Sequence, residues 1–265
     1  MRYLGSVALA ALIIGPAMAA DLPVKAPAYK APPAAVAVYD WTGFYIGIHG
    51  GGAWSRGDGI VDPLPSPIDF NMSREVFNLR GDRALAGVHA GYNWQPVPNA
   101  LFGVEADWSW TNVRASETRP ARDPAGVPFP VETITMSRNL DWLASFRARL
   151  GLTFNSFLIY GTGGLALGSV AYAGSHVSGN FIWPANLRQT EVGFVVGGGG
   201  EWGLTSNLTL RGEYLYYRLN GESVTVDSIP TSPPFQLRYT WQPHDTHVAR
   251  AALTYKWGSP VVARY

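Results

Sequence analysis

Cysteine is absent from this 265-residue sequence, which excludes a disulfide framework and thiolate-held metal centres. Charge is scarce, with Asp, Glu, Lys and Arg together making up 15% of the residues. The first nineteen residues carry one charge, Arg2, and without it 19 basic residues face 19 acidic ones. Such a balance leaves no electrostatic footprint for nucleic acid. Long apolar runs are lacking too. Beyond residue 19 no window holds eighteen consecutive apolar residues, so a chain that enters a membrane does so as strands.

In excess are glycine (30), proline (20) and aromatic side chains (13%), a composition of turns and short strands. Residues 1–19 read as a secretory signal: Arg2, the apolar run 4–14, and Ala17-Met18-Ala19 as the cleavage site. Residues 20–40, ADLPVKAPAYKAPPAAVAVYD, form a Pro- and Ala-rich linker without a core of its own. At about 3.1 Å per residue it reaches roughly 65 Å. Residues 41–265 read as a single β domain.

The stretch 140–168, LDWLASFRARLGLTFNSFLIYGTGGLALG, sets the pattern. Leu140, Trp142, Ala144, Phe146, Ala148 and Leu150 alternate with Asp141, Ser145, Arg147 and Arg149, which predicts a strand with one apolar and one charged face. The turn 153–156 leads to a glycine-rich partner strand whose facing the pattern leaves open. Similar alternation predicts strands near 41–54, 84–95, 101–113, 191–202, 208–217 and 246–257. Long connections (55–82, 114–138, 173–189, 219–245) alternate with short ones. This predicts an all-β fold, an eight-stranded antiparallel up-and-down transmembrane barrel with both termini on the periplasmic side.

In that barrel Glu105, Asp107, Asp141, Glu201 and Glu213 share the lumen with Arg147, Arg149, Arg211, Arg250 and Lys256. An eight-stranded interior has room only for its own side chains, so these ions must pair. The expectation is a packed ionic plug. A small selective pore is the alternative, and a glycosidase-type carboxylate pair requires a sugar to enter a plugged barrel. His49 and His89 are expected to hydrogen-bond in the lumen. Arg138 and Arg218 fall on the apolar parity and are expected above the hydrocarbon. Trp54, Trp94, Trp108, Trp110, Trp142, Trp202, Trp257 and Tyr255 recur toward strand ends, as interfacial girdles do. His176, His244 and His247 lie in or beside the last two long connections, and His244-x-x-His247 with Tyr239 or Tyr172 is a candidate ligand set. Residues 198–203 match G-x-G-x-x-G, but no helix follows, which excludes a nucleotide site. No Ser-His-Asp arrangement stands out, and neither catalytic residue, cofactor nor metal is expected.

The stretches AADLPVKAPAYKAPP, YDWTGFYIG, LDWLASFRARLG, LIYGTGGLA, GEYLYYRL and LTYKWGSPVVARY resemble the porin-like outer-membrane immunogenic proteins of Gram-negative bacteria. The resemblance spans signal, linker and all eight strands, but not the long connections. It implies an outer-membrane barrel surrounded by lipid. It also implies covalent attachment of the mature amino terminus to peptidoglycan, here through Ala20 of the matching Ala20-Asp21 pair, and haemin binding by extracellular loops in some relatives. Tyr255, Trp257 and the terminal Tyr265 resemble the aromatic signal read by the barrel-assembly machinery. The function expected is structural and non-enzymatic, supporting envelope integrity; ligand capture by the loops and a small diffusion pore are the alternatives.

Overall fold

Successive side chains of a strand point to opposite faces, and a sheet closed on itself turns those faces into an inside and an outside. The computed structural model describes residues 39–65, 71–230 and 235–257. Over these it forms ten antiparallel strands: β1 Gly43–Pro63, β2 Glu75–Val97, β3 Ala100–Arg122, β4 Pro128–Phe154, β5 Phe157–Ser178, β6 Phe181–Gly203, β7 Leu208–Leu219, β8 Glu222–Asp227, β9 Gln236–Trp241 and β10 His244–Lys256. Strands β1 to β7 pair in order, β7 pairs with β10, and β10 returns to β1, closing a ring of eight. The signal region, Ala20 with residues 21–38 of the linker, and Tyr265 lie outside the described residues.

The strands run further than the sequence pattern suggests. β1 continues to Pro63 and β2 starts at Glu75, while β5 and β6 are joined by Gly179-Asn180 alone. Most of each expected long loop is therefore strand. In the fourth, β8 and β9 pair antiparallel with each other, and β9 pairs with the far end of β1, from Gly59↔Trp241 to Pro63↔Leu237. A bridge between Ile182 and Ile229 ties β6 to the segment after β8. The wall thus continues upward past the ends of β7 and β10. At the opposite end the connections are tight; Asn155 turns there with a φ of +55°, a conformation asparagine tolerates better than most residues.

The outer face divides by height. Between Phe44, Trp94, Trp202 and Trp257 at the turn end and Trp54, Trp110 and Tyr214 further up, the outward residues are apolar, with Ile46, Val88, Val104, Phe146, Leu165 and Leu253 among them exposed. The ten residues from Phe44 to Trp54 span about 25 Å of membrane normal at the tilt of such barrels. Outward charge begins at that edge, with Asp82 opposite Trp54, and continues above it at Arg56, Arg80 and Arg114. Trp142, half-buried, stacks on Trp108 with 4.2 Å between ring centroids.

One facing left open by the sequence is settled, and one expected facing changes. The glycine-rich β5 turns Leu158, Tyr160 and Ala166 inward and Ile159, Leu165 and Leu167 outward. In β4 the alternation breaks at Asp141. The β4–β5 register passes from Leu140↔Val170 to Trp142↔Ser169, so one extra β4 residue is accommodated as a bulge, which shifts the facing of everything beyond it. Leu140 is consequently buried. Asp141 lies on the outer surface, paired with Arg188 at 3.0 Å, and does not belong to the lumen. Arg138 is turned inside and buried, whereas Arg218 points outward and pairs with Asp245 at 3.3 Å.

Candidate functional site

Within the apolar belt the inward positions of β3, β4, β6, β7 and β10 deliver charge to one point. Glu105 and Asp107 come from β3, Arg147 and Arg149 from β4, Glu201 from β6, Arg211 and Glu213 from β7, and Arg250 from β10. Four carboxylates meet four guanidiniums. Arg147 reaches Glu213 at 2.9 Å and Asp107 at 3.1 Å, and also contacts Glu105. Arg149 spans Glu105 and Glu201, both at 3.4 Å. Arg211 holds Glu105 at 2.6 Å and contacts Glu201. Arg250 joins Asp107 at 3.0 Å to Glu213 at 2.6 Å. The side chains of Glu105, Asp107, Arg147, Arg149 and Glu213 have no exposed surface.

Hydroxyls complete the network. Tyr45 donates to Glu105 at 2.8 Å and accepts from Arg149 at 2.9 Å. Tyr160 donates to Glu213 at 2.9 Å, while its ring lies 3.9 Å beneath the Arg149 guanidinium. Both tyrosines need room on the neighbouring strand, and glycine supplies it. A Cβ at Gly91 would sit 2.3 Å from the Tyr45 oxygen, and one at Gly199 2.8 Å from that of Tyr160. His49 contacts Ser109 at 2.8 Å and Arg250 at 3.2 Å, and His89 contacts Thr254 at 2.9 Å.

Three of these partners escape the sequence reading. Tyr45 was visible as an inward residue, but its tie to Glu105 crosses 60 residues. Tyr160 sits in the strand whose facing was open, and Ser145 serves as a donor to Asp107. Lys256, grouped with the lumenal ions, is buried at the turn end instead. Its ammonium donates to the carbonyls of Asp40 and Thr42 and meets no carboxylate of the cluster among the described residues. β10 ends there, two inward positions beyond Ala252.

The candidate ligand residues are not brought together. Positions three apart on a strand face opposite ways, and so do His244, fully buried, and His247, on the outer face with Tyr214 at 2.5 Å. Tyr239 is buried in the upper interior and donates to the Trp183 carbonyl at 2.9 Å. His176 stacks on Trp183 at 4.9 Å and pairs with Glu132 at 3.3 Å. Tyr172 donates to Glu191 at 3.3 Å. Residues 198–203 run through the end of β6. At the turn end Tyr255 and Trp257 are exposed, 5.2 Å apart edge to face, and the Trp257 amide bonds Phe44 at 2.9 Å.

Above the cluster the interior changes character. Phe77, Leu79, Val113, Ile134, Met136, Tyr172, Trp183, Tyr239 and Trp241 form one buried apolar core. Every carboxylate of the lower cluster is engaged by guanidinium groups.

Comparison with known proteins agrees with this architecture. Residues 7–232 match the outer membrane protein beta-barrel domain family. The chain is 33% identical over 265 residues to the 31 kDa outer-membrane immunogenic protein of Brucella melitensis, covering 97% of this chain and 100% of that protein. It is 30% identical over 188 residues to the 22 kDa outer membrane protein of Rhizobium leguminosarum, covering 71% and 69%. Among solved structures, the outer membrane protein OprG from Pseudomonas aeruginosa aligns with a TM-score of 0.48 and 12% identity over 82% of this chain and 97% of that one. A closed antiparallel ring with an apolar outer belt, joined to matches of this extent, makes the chain a member of the outer membrane protein beta-barrel domain family, resident in the outer membrane.

Proposed function

We propose that this protein is a structural, non-enzymatic element of the outer membrane, and that its filled lumen is a permanent plug. The observation that carries the reading is the balance of the cluster, four arginines against four carboxylates with their charged groups buried. Such a set seals a barrel to ions and sugars, and it offers no displaceable group for catalysis. Planar-bilayer recordings of the refolded protein are expected to show no discrete conductance; stable single-channel steps would replace the plug with a pore.

On the same reading, the short-turn end and both termini face the periplasm. Residues 1–19 are removed and the linker from Ala20 reaches the cell wall. Muramidase digestion of sacculi is expected to release the protein with a muropeptide on Ala20. A free amino terminus on every copy, seen by mass spectrometry, would remove the tether and leave the barrel's other roles standing.

A further inference from the structure

The outer wall of β1 and β2 carries an arrangement that the plug does not explain. On the outward face the register sets Gly52 opposite Ala84, Trp54 opposite Asp82, and Arg56 directly opposite Arg80. Like charges facing one another across a strand pair repel, and neither arginine makes an ion pair among the described residues. The β10 residue in register with Arg56 is Asp245, whose carboxylate is already taken by Arg218 at 3.3 Å and Tyr216 at 2.7 Å. Arg83, in register with the buried Ala53, and Arg114, which donates from Nε to Asn112 at 3.1 Å and has its backbone against Gly81, are also exposed. Asp58 and Asp82 lie on the diagonals of the pair. The Arg56–Arg80 opposition is thus left without a salt-bridge partner among the described residues.

Below the arginines runs a groove of about 330 Å³ lined by Gly52, Trp54, Asp82, Arg83 and Ala84. The Trp54 indole lies along it, within 3.2 Å of where a Cβ on Gly52 would be. The groove opens downward onto the apolar belt, where the next outward pair is Gly50 and Ala86. In the strand register it lies between that belt and the Arg56–Arg80 pair, whose planar guanidinium forks suit phosphate oxygens.

We propose that this groove binds one phosphate-bearing lipid of the leaflet it faces, the phosphate held between Arg56 and Arg80 and an acyl chain lying over Gly52 and Ala84 beside Trp54. The inference rests on the belt being the membrane-spanning zone. A bound phosphate relieves the repulsion between the two arginines, and Trp54 fixes the lipid at the boundary between its two chemistries.

The test uses the full barrel in uncharged detergent, titrated with phosphatidic acid, phosphatidylcholine or inorganic phosphate and read by native mass spectrometry. Phosphatidic acid is expected to form a one-to-one adduct at about tenfold lower concentration than phosphatidylcholine, a difference of about 1.4 kcal/mol. The R56Q/R80Q variant is expected to lose that preference. Ala84→Phe, which fills the groove and leaves the arginines in place, is expected to weaken both lipids. Arg188→Gln, an outward arginine paired elsewhere, is expected to change nothing. Each variant must keep its band shift between unheated and boiled gel samples, which reports the closed barrel separately. Equal binding of the two lipids, or full preference retained in R56Q/R80Q, overturns the site. Competition by inorganic phosphate as effective as that by phosphatidic acid makes it a free-anion site and overturns the lipid.

Discussion

The two storeys of this barrel obey opposite rules. In the lower one charges point in and apolar side chains point out; Glu105 and Arg147, directly opposite each other, have no exposed side-chain surface, while Phe146, next to Arg147 along β4, is exposed. In the upper one Leu79, Ile134 and Trp241 are buried, and Arg56, Arg80 and Arg114 are exposed. Strands β1 to β6 are continuous through both, so the backbone cannot be the cause. The surroundings are. Lipid accepts no unpaired charge, which drives the lower ions into a space where they must neutralise one another. Water above accepts charge freely, and the interior there packs like that of any soluble sheet protein. The change is made where the solvent changes: the bulge at Asp141 inverts the facing of β4 just above Trp142.

The largest effect should come from the lower storey. Glu105 touches Arg147, Arg149, Arg211 and Tyr45, with Arg250 at 3.9 Å. Glu105→Ala leaves four guanidiniums to three carboxylates, and a buried charge stripped of its partner costs about 3–5 kcal/mol. Urea titration in micelles should show this as an early loss of the unheated band position. Pairing Glu105→Gln with Arg211→Met, which removes one charge of each sign, should recover most of it. An unchanged midpoint in Glu105→Ala means the cluster does not hold the barrel together.

A cavity in the upper storey acts more locally. Leu79→Ala, at a fully buried site, should cost about 2–5 kcal/mol. Amide exchange ought to rise in the upper halves of β1, β2 and β3 and stay slow around Arg147. Uniform loss of protection would mean that the storeys unfold as one unit. The outer face gives the next contrast. Phe146→Arg places a charge against lipid and should cost about 2–4 kcal/mol, whereas Ser116→Arg, exposed above the belt, should stay within about 0.5 kcal/mol of the wild type. Equal costs would dissolve the distinction between the two outer surfaces.

Much of the lower storey is legible from period-two alternation. Phe44, Ile46 and Ile48 against Tyr45 and His49, or Trp108 against Glu105 and Asp107, declare their faces because apolar and charged residues alternate strictly there. The upper storey is harder to read. Arg114, Ser116 and Thr118 alternate with Val113, Ala115 and Glu117, a pattern polar enough overall to pass for a loop. The bulge is harder still, since Asp141 fits the alternation of residues 140–150 and only the partner register at Val170 and Ser169 reveals the extra residue. The opposite facing of His244 and His247 follows from their spacing only once the strand is seen to start at His244 and not near 246, and Tyr239 lies in a strand that the sequence reads as loop. The Arg56–Arg80 opposition depends on pairing between strands, which the order of residues does not contain.

The smallest expected effect separates the storeys by pH. His244 is fully buried above the belt, and burial together with the neighbouring Arg138 guanidinium holds its imidazole well below the ordinary histidine range. His176 is lowered by burial too, with Glu132 opposing. In the unfolded chain both histidines take up a proton near pH 6.5. A base whose folded pKa is depressed leaves the unfolded state binding more protons across the interval between the two values, so stability is full above about pH 6.5 and falls as pH drops below it. With the intrinsic pH dependence of exchange divided out, protection factors in β9, the top of β5 and the start of β10 are expected to fall between pH 7.5 and 5, with little change in the lower halves of β3 and β4. His244→Leu keeps an apolar side chain in the same site and removes the proton acceptor, so it should flatten part of that dependence and leave exchange at pH 7.5 nearly unaltered. If the upper strands respond to acid equally with and without His244, the pH sensitivity belongs to carboxylates elsewhere and the imidazole is a packing residue only.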